Sequence, residues 1–117
     1  MRKILVVDDN LDYLELLASV LGKYFEVHEA TGVKDALRVL GDKEIEAICS
    51  DYNMRDGTGL DLLEKVRQEG ITIPFLLMSG DDDHVLKQKA RLYGGDFCSK
   101  TDCDFIERIK ALVKSET

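Results

Sequence analysis

Short apolar runs alternate along this chain with longer stretches whose apolar residues recur every three or four positions. Ile4 to Val7 is an apolar run without polar alternation, the pattern of a strand buried on both faces. Asn10 suits the N-cap of a helix with Leu11, Leu14, Leu17, Ala18 and Leu21 at apolar positions and Gly22 near its end. Phe25 to Ala30 predicts a second, weaker strand. Thr31 precedes a short helix with Val33, Ala36, Leu37 and Leu40 on one side and Gly41 as its stop. Ile45 to Ser50 is the third strand, and Asp51 to Gly59 a loop containing two glycines. The third helix runs from about Gly59 to Glu69, with Leu60, Leu63 and Val66 inward and Gly70 after it. Ile73 to Met78 predicts the fourth strand, with Pro74 tolerable near its start. Asp82 to Tyr93 reads as the fourth helix and Asp96 to Ser99 as the fifth strand. Phe105, Ile106, Ile109, Leu112 and Val113 mark a final amphipathic helix.

The pattern is a strand and a helix repeated five times, which predicts one α/β domain over residues 1–117 with a parallel sheet covered by helices on both faces. Right-handed crossovers bring the C-terminal ends of all the strands to one edge of that sheet. Open α/β sheets hold their sites in the loops of that edge. The 117 residues suit one hydrophobic core, and a 44% apolar fraction with a single Pro excludes a disordered chain. No apolar run approaches the roughly 20 residues that cross a bilayer, and the start is too short for a signal peptide, so a soluble cytoplasmic protein is expected. The formal charge of −7 argues against direct nucleic-acid binding. The three cysteines, Cys49, Cys98 and Cys103, are odd in number and lack a CxxC spacing, so neither a disulfide framework nor a zinc site is indicated.

Most of the predicted strand ends carry polar groups. The first ends in Asp8-Asp9, the third in Asp51, the fourth in Ser79-Gly80 and the fifth in Lys100; the second ends in the chemically quiet Ala30-Thr31. Any one of these is an ordinary turn or cap residue. Three carboxylates gathered together, however, repel one another at a cost that burial increases. A cation relieves that cost, and an all-oxygen donor set suits Mg²⁺ rather than zinc. A carboxylate is already ionised at neutral pH, so Asp51 can accept a phosphoryl group without a general base. Mg²⁺, Lys100 and the Ser79 hydroxyl would then neutralise the phosphoryl oxygens. The Asp81-Asp82-Asp83 run reads as a solvated acidic face, His28 as a surface residue of the second strand, and His84 as an exposed residue of the fourth helix.

The stretches Ile4-Leu5-Val6-Val7-Asp8-Asp9-Asn10, Asp51-Tyr52-Asn53-Met54, Gly59-Leu60-Asp61-Leu62-Leu63, Met78-Ser79-Gly80 and Lys100 occur in order at the strand ends. Over essentially its whole length the chain resembles a response-regulator receiver domain of two-component signalling, of the chemotaxis-regulator kind. The resemblance implies a flavodoxin-like, doubly wound (βα)5 sheet of order 2-1-3-4-5. It implies Asp51 as phosphoacceptor, Asp9 as direct Mg²⁺ ligand, Asp8 acting largely through water, and the backbone carbonyl of Asn53 as a further ligand. It assigns Ser79 and Lys100 to the phosphoryl group, and Ser79 with Phe97 to the switch that remodels the surface of the fourth helix, fifth strand and fifth helix for a partner. A histidine kinase or phosphotransfer protein would be the donor, and a downstream protein or output domain the recipient of the signal. The protein would assist only its own phosphorylation and dephosphorylation. Arg91, Leu92 and Tyr93 are candidate surface contacts at the end of the fourth helix. Asn53 and Asp81 would flank a hydrolytic water, so loss of phosphate within minutes is expected.

Three positions depart from the family pattern. Arg55 stands where Pro is common, which predicts a less rigid loop. Thr101 follows Lys100 where a Pro with a cis peptide is common; a cis bond before Thr101 would cost about 2.5–4 kcal/mol, so a different loop is expected there. Phe97 replaces the frequent Tyr, which leaves coupling to ring packing. A receiver that never uses phosphate would normally have lost the acid pair, the acceptor or the Lys, all of which are present. A small Asp-dependent phosphatase would show Asp-x-Asp at the first strand rather than Asp8-Asp9-Asn10, and no GxxxxGK or GxGxxG supports nucleotide binding. The end soon after the last helix suits either a complete single-domain regulator or a piece of a larger regulator or hybrid kinase.

Overall fold

The computed structural model describes residues 1–80, 83–100 and 105–115, with side chains of the last helix described from 106 to 111. The acids Asp81 and Asp82, the Lys100–Thr101 peptide and Cys103 lie outside the described residues. Five parallel strands, β1 (Lys3–Val7), β2 (Glu26–Ala30), β3 (Ala47–Asp51), β4 (Phe75–Ser79) and β5 (Asp96–Ser99), form one sheet in the spatial order β2-β1-β3-β4-β5. The helices are α1 (Leu11–Leu21), α2 (Val33–Asp42), α3 (Gly59–Gln68), α4 (His84–Leu92) and α5 (Phe105–Ser115). This is the doubly wound architecture that the repeating apolar pattern predicts.

Side chains alternate across a strand, and the alternation sorts the core into two layers. Leu5, Val7, Ile48, Phe75, Leu77 and Phe97 face one layer, closed by α2, α3 and α4. Ile4, Val6, Ala47, Cys49, Leu76, Met78 and Cys98 face the other, closed by Leu14, Leu17 and Leu21 of α1 and Ile109 of α5. The central strands β3 and β4 are buried throughout, whereas β2 at the edge is mostly not. Cys49 and Cys98 are buried in the core, and burial pushes the Cys49 thiol far above its ordinary range.

The structure adjusts several sequence expectations. β3 and β4 start two residues later than the apolar runs, because Ile45 and Ile73 pack into the core before the ladder begins. Gly41 does not stop α2; the helix runs through it to Asp42, and the Lys43 N–H donates to the Val39 carbonyl at 2.9 Å. Asp83 is not a solvated acid but the N-cap of α4, its Oδ1 accepting from the N–H groups of Val85 at 2.9 Å and Leu86 at 3.2 Å. α3 begins with a capping box, in which Thr58 Oγ1 accepts from the Asp61 N–H and Asp61 Oδ2 from the Thr58 N–H, both at 3.0 Å.

Arginine side chains brace the stretch leading into β5. Arg67 of α3 donates to the carbonyls of Tyr93 at 2.6 Å and Ile71 at 2.8 Å, tying together the C-terminal ends of α3 and α4. Arg108 of α5 donates to the Phe97 carbonyl at 2.6 Å and to the Asp96 carboxylate at 3.1 Å. Arg67→Met keeps the aliphatic stem and removes the charged donors from part-buried carbonyls. It is expected to lower unfolding stability by roughly 2 kcal/mol in a denaturant titration; a loss under about 0.5 kcal/mol would show that water substitutes for the guanidinium.

Candidate functional site

The strand alternation that sorts the core also builds the site. Continuing the α1/α5-facing series of β1 beyond Ile4 and Val6 reaches Asp8, and continuing Ala47 and Cys49 of β3 reaches Asp51. After Cys98 of β5 the same series reaches Lys100. Strands β1 and β3 are neighbours in register, with Val7 opposite Ser50. Asp8 and Asp51 therefore emerge side by side at the point where the sheet order reverses.

Carboxylate oxygens of Asp8, Asp9 and Asp51 all lie within 4.8 Å of one another. Asp8 is fully buried and Asp51 nearly so. The Lys100 ammonium donates to Asp8 Oδ2 at 3.1 Å and lies 3.0 Å from Asp51 Oδ1. Asp8 Oδ1 also accepts from the Asn10 N–H at 2.9 Å, and Asn10 in turn caps α1 by accepting from the Tyr13 N–H at 3.1 Å. Asp51 is held by the sheet, since the next residue, Tyr52, donates from its N–H to the Met78 carbonyl at 2.7 Å. The Lys100 N–H donates to the Ser79 carbonyl at 2.7 Å, which continues the β4–β5 ladder to the lysine. The cation thus reaches across the sheet edge from a fixed backbone position.

Burial pushes the Asp51 carboxyl above its ordinary range; the Lys100 hydrogen bond opposes this, and the charge of Asp8 reinforces it. Burial alone would push the Lys100 amine down, but the bond and charge of Asp51, then those of Asp8, outweigh it and hold the amine above its ordinary range. The site accordingly keeps a charged lysine against an acid that resists ionisation. The three carboxylates offer hard oxygen donors with no sulfur or imidazole among them, a set that fits Mg²⁺.

Within the segment whose glycines predict a loop, Asn53 lies in a small antiparallel ladder of Asn53–Met54 against Gly57–Thr58. The Gly59 N–H donates to the Tyr52 carbonyl at 2.7 Å, so the Tyr52–Gly59 pair is a hydrogen-bonded one. Bonded and non-bonded pairs alternate in antiparallel ladders. The Asn53–Thr58 pair is therefore of the non-bonded class, which leaves the Asn53 carbonyl outside the ladder. Ser79 ends β4 and is buried, and its neighbour Met78 lies opposite Asp51. Phe97 is buried, 3% exposed, in the α2/α3/α4 layer. Its N–H donates to Asp96 Oδ1 at 2.9 Å, and its carbonyl is the one Arg108 takes.

Two contributors were not legible beforehand. Asp56 reaches back from the β3–α3 loop to cap α2, accepting from the N–H groups of Val33 at 2.9 Å and Lys34 at 3.0 Å. These backbone bonds hold its carboxyl below the ordinary range. The loop expected to be less rigid because of Arg55 is thus pinned at the next residue. Gly32 permits the approach, since a Cβ there would stand 2.6 Å from Asp56 Oδ1. Tyr13, in the first turn of α1, lays its ring over the Lys100 ammonium, 4.2 Å from nitrogen to ring centroid. An aromatic four residues beyond the acid pair was the available signal. Beside the acids an open cleft of about 480 Å³ is lined by Asp9, Leu11, Lys34, Asp35, Arg55 and Asp56, among others.

A family model described as response regulator receiver domain matches residues 4–109. The chain is 35% identical over 96 residues to the sensor histidine kinase RcsC of Escherichia coli, a match covering 81% of this chain and 10% of that protein. It is 32% identical over 79 residues to the response regulator protein PilR of Pseudomonas aeruginosa, covering 67% of this chain and 18% of the relative. The chain thus spans about a tenth of the length of the sensor kinase and under a fifth of the regulator. Among solved structures, the receiver domain of Francisella response regulator 1452 superposes with a TM-score of 0.92 at 23% identity, covering 100% of both chains.

Proposed function

The chain belongs to the response regulator receiver domain family, the phosphorylation-activated switches of two-component signalling, and from that premise we propose that Asp51 is its phosphoacceptor. The observation that carries the reading is the placement of one lysine ammonium between two buried carboxylates, with a third carboxylate within 4.8 Å of both. Asp8, Asp9, Asp51 and the Asn53 carbonyl would hold Mg²⁺, which when bound supplies positive charge against the phosphoryl oxygens. In the transfer, an Asp51 carboxylate oxygen forms the new O–P bond as the P–N bond of a phosphohistidine donor breaks, and the donor imidazole leaves with its electron pair. Lys100 exchanges its contact with Asp51 for a phosphoryl oxygen, and the Ser79 hydroxyl donates to another. The open cleft beside Asp9 gives the donor access.

The added charge draws Ser79 inward at the end of β4 as Lys100, already seated at the end of β5, turns to the phosphoryl group, and Phe97 on β5 transmits the change by ring packing against α4. The readout is then the surface of α4, β5 and α5, where Leu92 is 82% exposed. A histidine kinase or phosphotransfer protein is the proposed donor and a downstream protein or output domain the proposed recipient; the protein catalyses only its own gain and loss of phosphate. Among the described residues no helix is long and apolar enough to cross a membrane, which suits the cytoplasmic location proposed here.

Two measurements test this. Mg²⁺ is expected to raise the melting temperature by several degrees through binding to the folded state alone. Incubation with acetyl phosphate should add the mass of one phosphoryl group, in Mg²⁺ only, on the peptide containing Asp51. A chain that melts identically with Mg²⁺ or EDTA and never gains that mass would overturn the assignment.

A further inference from the structure

Lys100 meets Asp51 two strands away from its own and Asp8 three strands away. β5 lies at the sheet edge, β4 separates it from β3, and Asp8 is on β1 beyond that. Neighbouring strands are about 4.8 Å apart, so the flexible four-carbon stem has to be extended and kept extended. An ammonium has three N–H bonds. Two directions end on Asp8 and Asp51, and the Tyr13 ring covers the nitrogen from α1 at 4.2 Å, well inside the range of a cation–π contact. Tyr13 is itself set by the site, because its N–H is the one that the Asn10 cap accepts and the Asn10 N–H binds Asp8. The same short segment therefore orients an acid through its backbone and faces the cation through its ring.

We infer that Tyr13 is a positioning residue for phosphoryl transfer, its ring face holding the Lys100 ammonium extended over the acid trio. The inference rests on Asp51 being the acceptor. It concerns the ring face and not the phenol hydroxyl, so Phe should serve and an aliphatic side chain should not. Simple packing of Tyr13 against the α1/α5 core layer, where the ring is partly buried, predicts something different: loss in the Leu variant regardless of whether the lysine is present.

The experiment uses the full chain with acetyl phosphate and Mg²⁺, and compares the parent with Tyr13→Phe and Tyr13→Leu, each also in a Lys100→Met background. Proton NMR of the Lys100 Cε methylene, shielded by the ring, reports the contact without any phosphorylation. Tyr13→Phe should keep the shielding and hold the initial phosphorylation rate within about two-fold. Tyr13→Leu should lose the shielding and slow the rate roughly three- to ten-fold, with little change in melting temperature. In the Lys100→Met background it should produce no further slowing. The inference is overturned if Tyr13→Leu loses the shielding and keeps the rate, or if it slows the reaction equally without the lysine. Shielding present in a parent chain that takes no phosphoryl group would overturn the acceptor assignment instead, and this inference with it. Should Tyr13→Leu fold poorly, Tyr13→Met supplies the same comparison.

Discussion

Asp51→Asn is expected to abolish phosphoryl uptake completely, while making the Mg²⁺-free protein more stable than the parent chain. The first effect is chemical. An amide has no anionic oxygen to form the acyl phosphate, so the mass gain should fall to background rather than by a partial factor. Asp8, Asp9 and Ser79 stand in the same site, and a gain that persisted in Asp51→Asn would assign the acceptor to one of them. The second effect is electrostatic. Burial and the charge of Asp8 raise the Asp51 carboxyl above its ordinary range, so folding favours the neutral form of this group. A raised folded-state pKa contributes stability that is complete below the unfolded value of about 3.9 and is lost as pH rises through the folded value. Asn stays neutral throughout. The melting temperature of Asp51→Asn in EDTA should therefore match the parent near pH 3 and exceed it by a few degrees at neutral pH. Added Mg²⁺ should close that gap by stabilising the parent alone. A variant less stable than the parent at neutral pH would mean that the Lys100 contact outweighs burial and the neighbouring acid.

The acid trio was legible because its placement depends on strand order and strand ends, both of which hydrophobic patterning reveals. Ile4 to Val7 and Ile45 to Ser50 stop at Asp8 and Asp51, and a parallel sheet carries both to one edge. Lys100 was legible for the same reason, although it lies 92 residues from Asp8. The features that escaped notice depend on how a helix is rotated or where a loop folds back. Nothing local to Asp56 announces that it will cap a helix 23 residues earlier, and nothing local to Arg67 points to a carbonyl 26 residues later. Tyr13 reads as an ordinary amphipathic position until the rotation of α1 sets its ring over Lys100. Asp83 was misread because a cap and a solvated acid have the same composition; only the backbone N–H groups of Val85 and Leu86 distinguish them.

Gly59→Ala is expected to destabilise the fold by roughly 3 kcal/mol or more and to damage the acceptor site from behind. Gly59 opens α3 with an ordinary backbone conformation, so glycine is required there for space and not for a special φ. A Cβ on Gly59 would run into the backbone carbonyl oxygen of Asp51, stand 2.6 Å from Leu77 Cδ1 and lie 3.1 Å from Ser50 Oγ. Leu77 can shift, but the carbonyl cannot move without moving Asp51. Nor can α3 easily back away, because the Gly59 N–H is bonded to the Tyr52 carbonyl at 2.7 Å and Leu62, Leu63 and Val66 are fully buried beneath it. The strain therefore falls on the end of β3, where the carboxylate proposed as acceptor sits. The melting temperature should drop by ~10 °C, and the phosphorylation rate of the folded fraction should fall by about ten-fold or more, since small displacements of a reacting group are costly. Gly41→Ala is the matched control: a Cβ there meets nothing within 4 Å, on the exposed side of α2, and should stabilise by up to about 1 kcal/mol. If Gly59→Ala instead melts like the parent, the close approach of α3 to the back of Asp51 is not a constraint on the site, and Asp51 is held by the β3–β4 ladder alone.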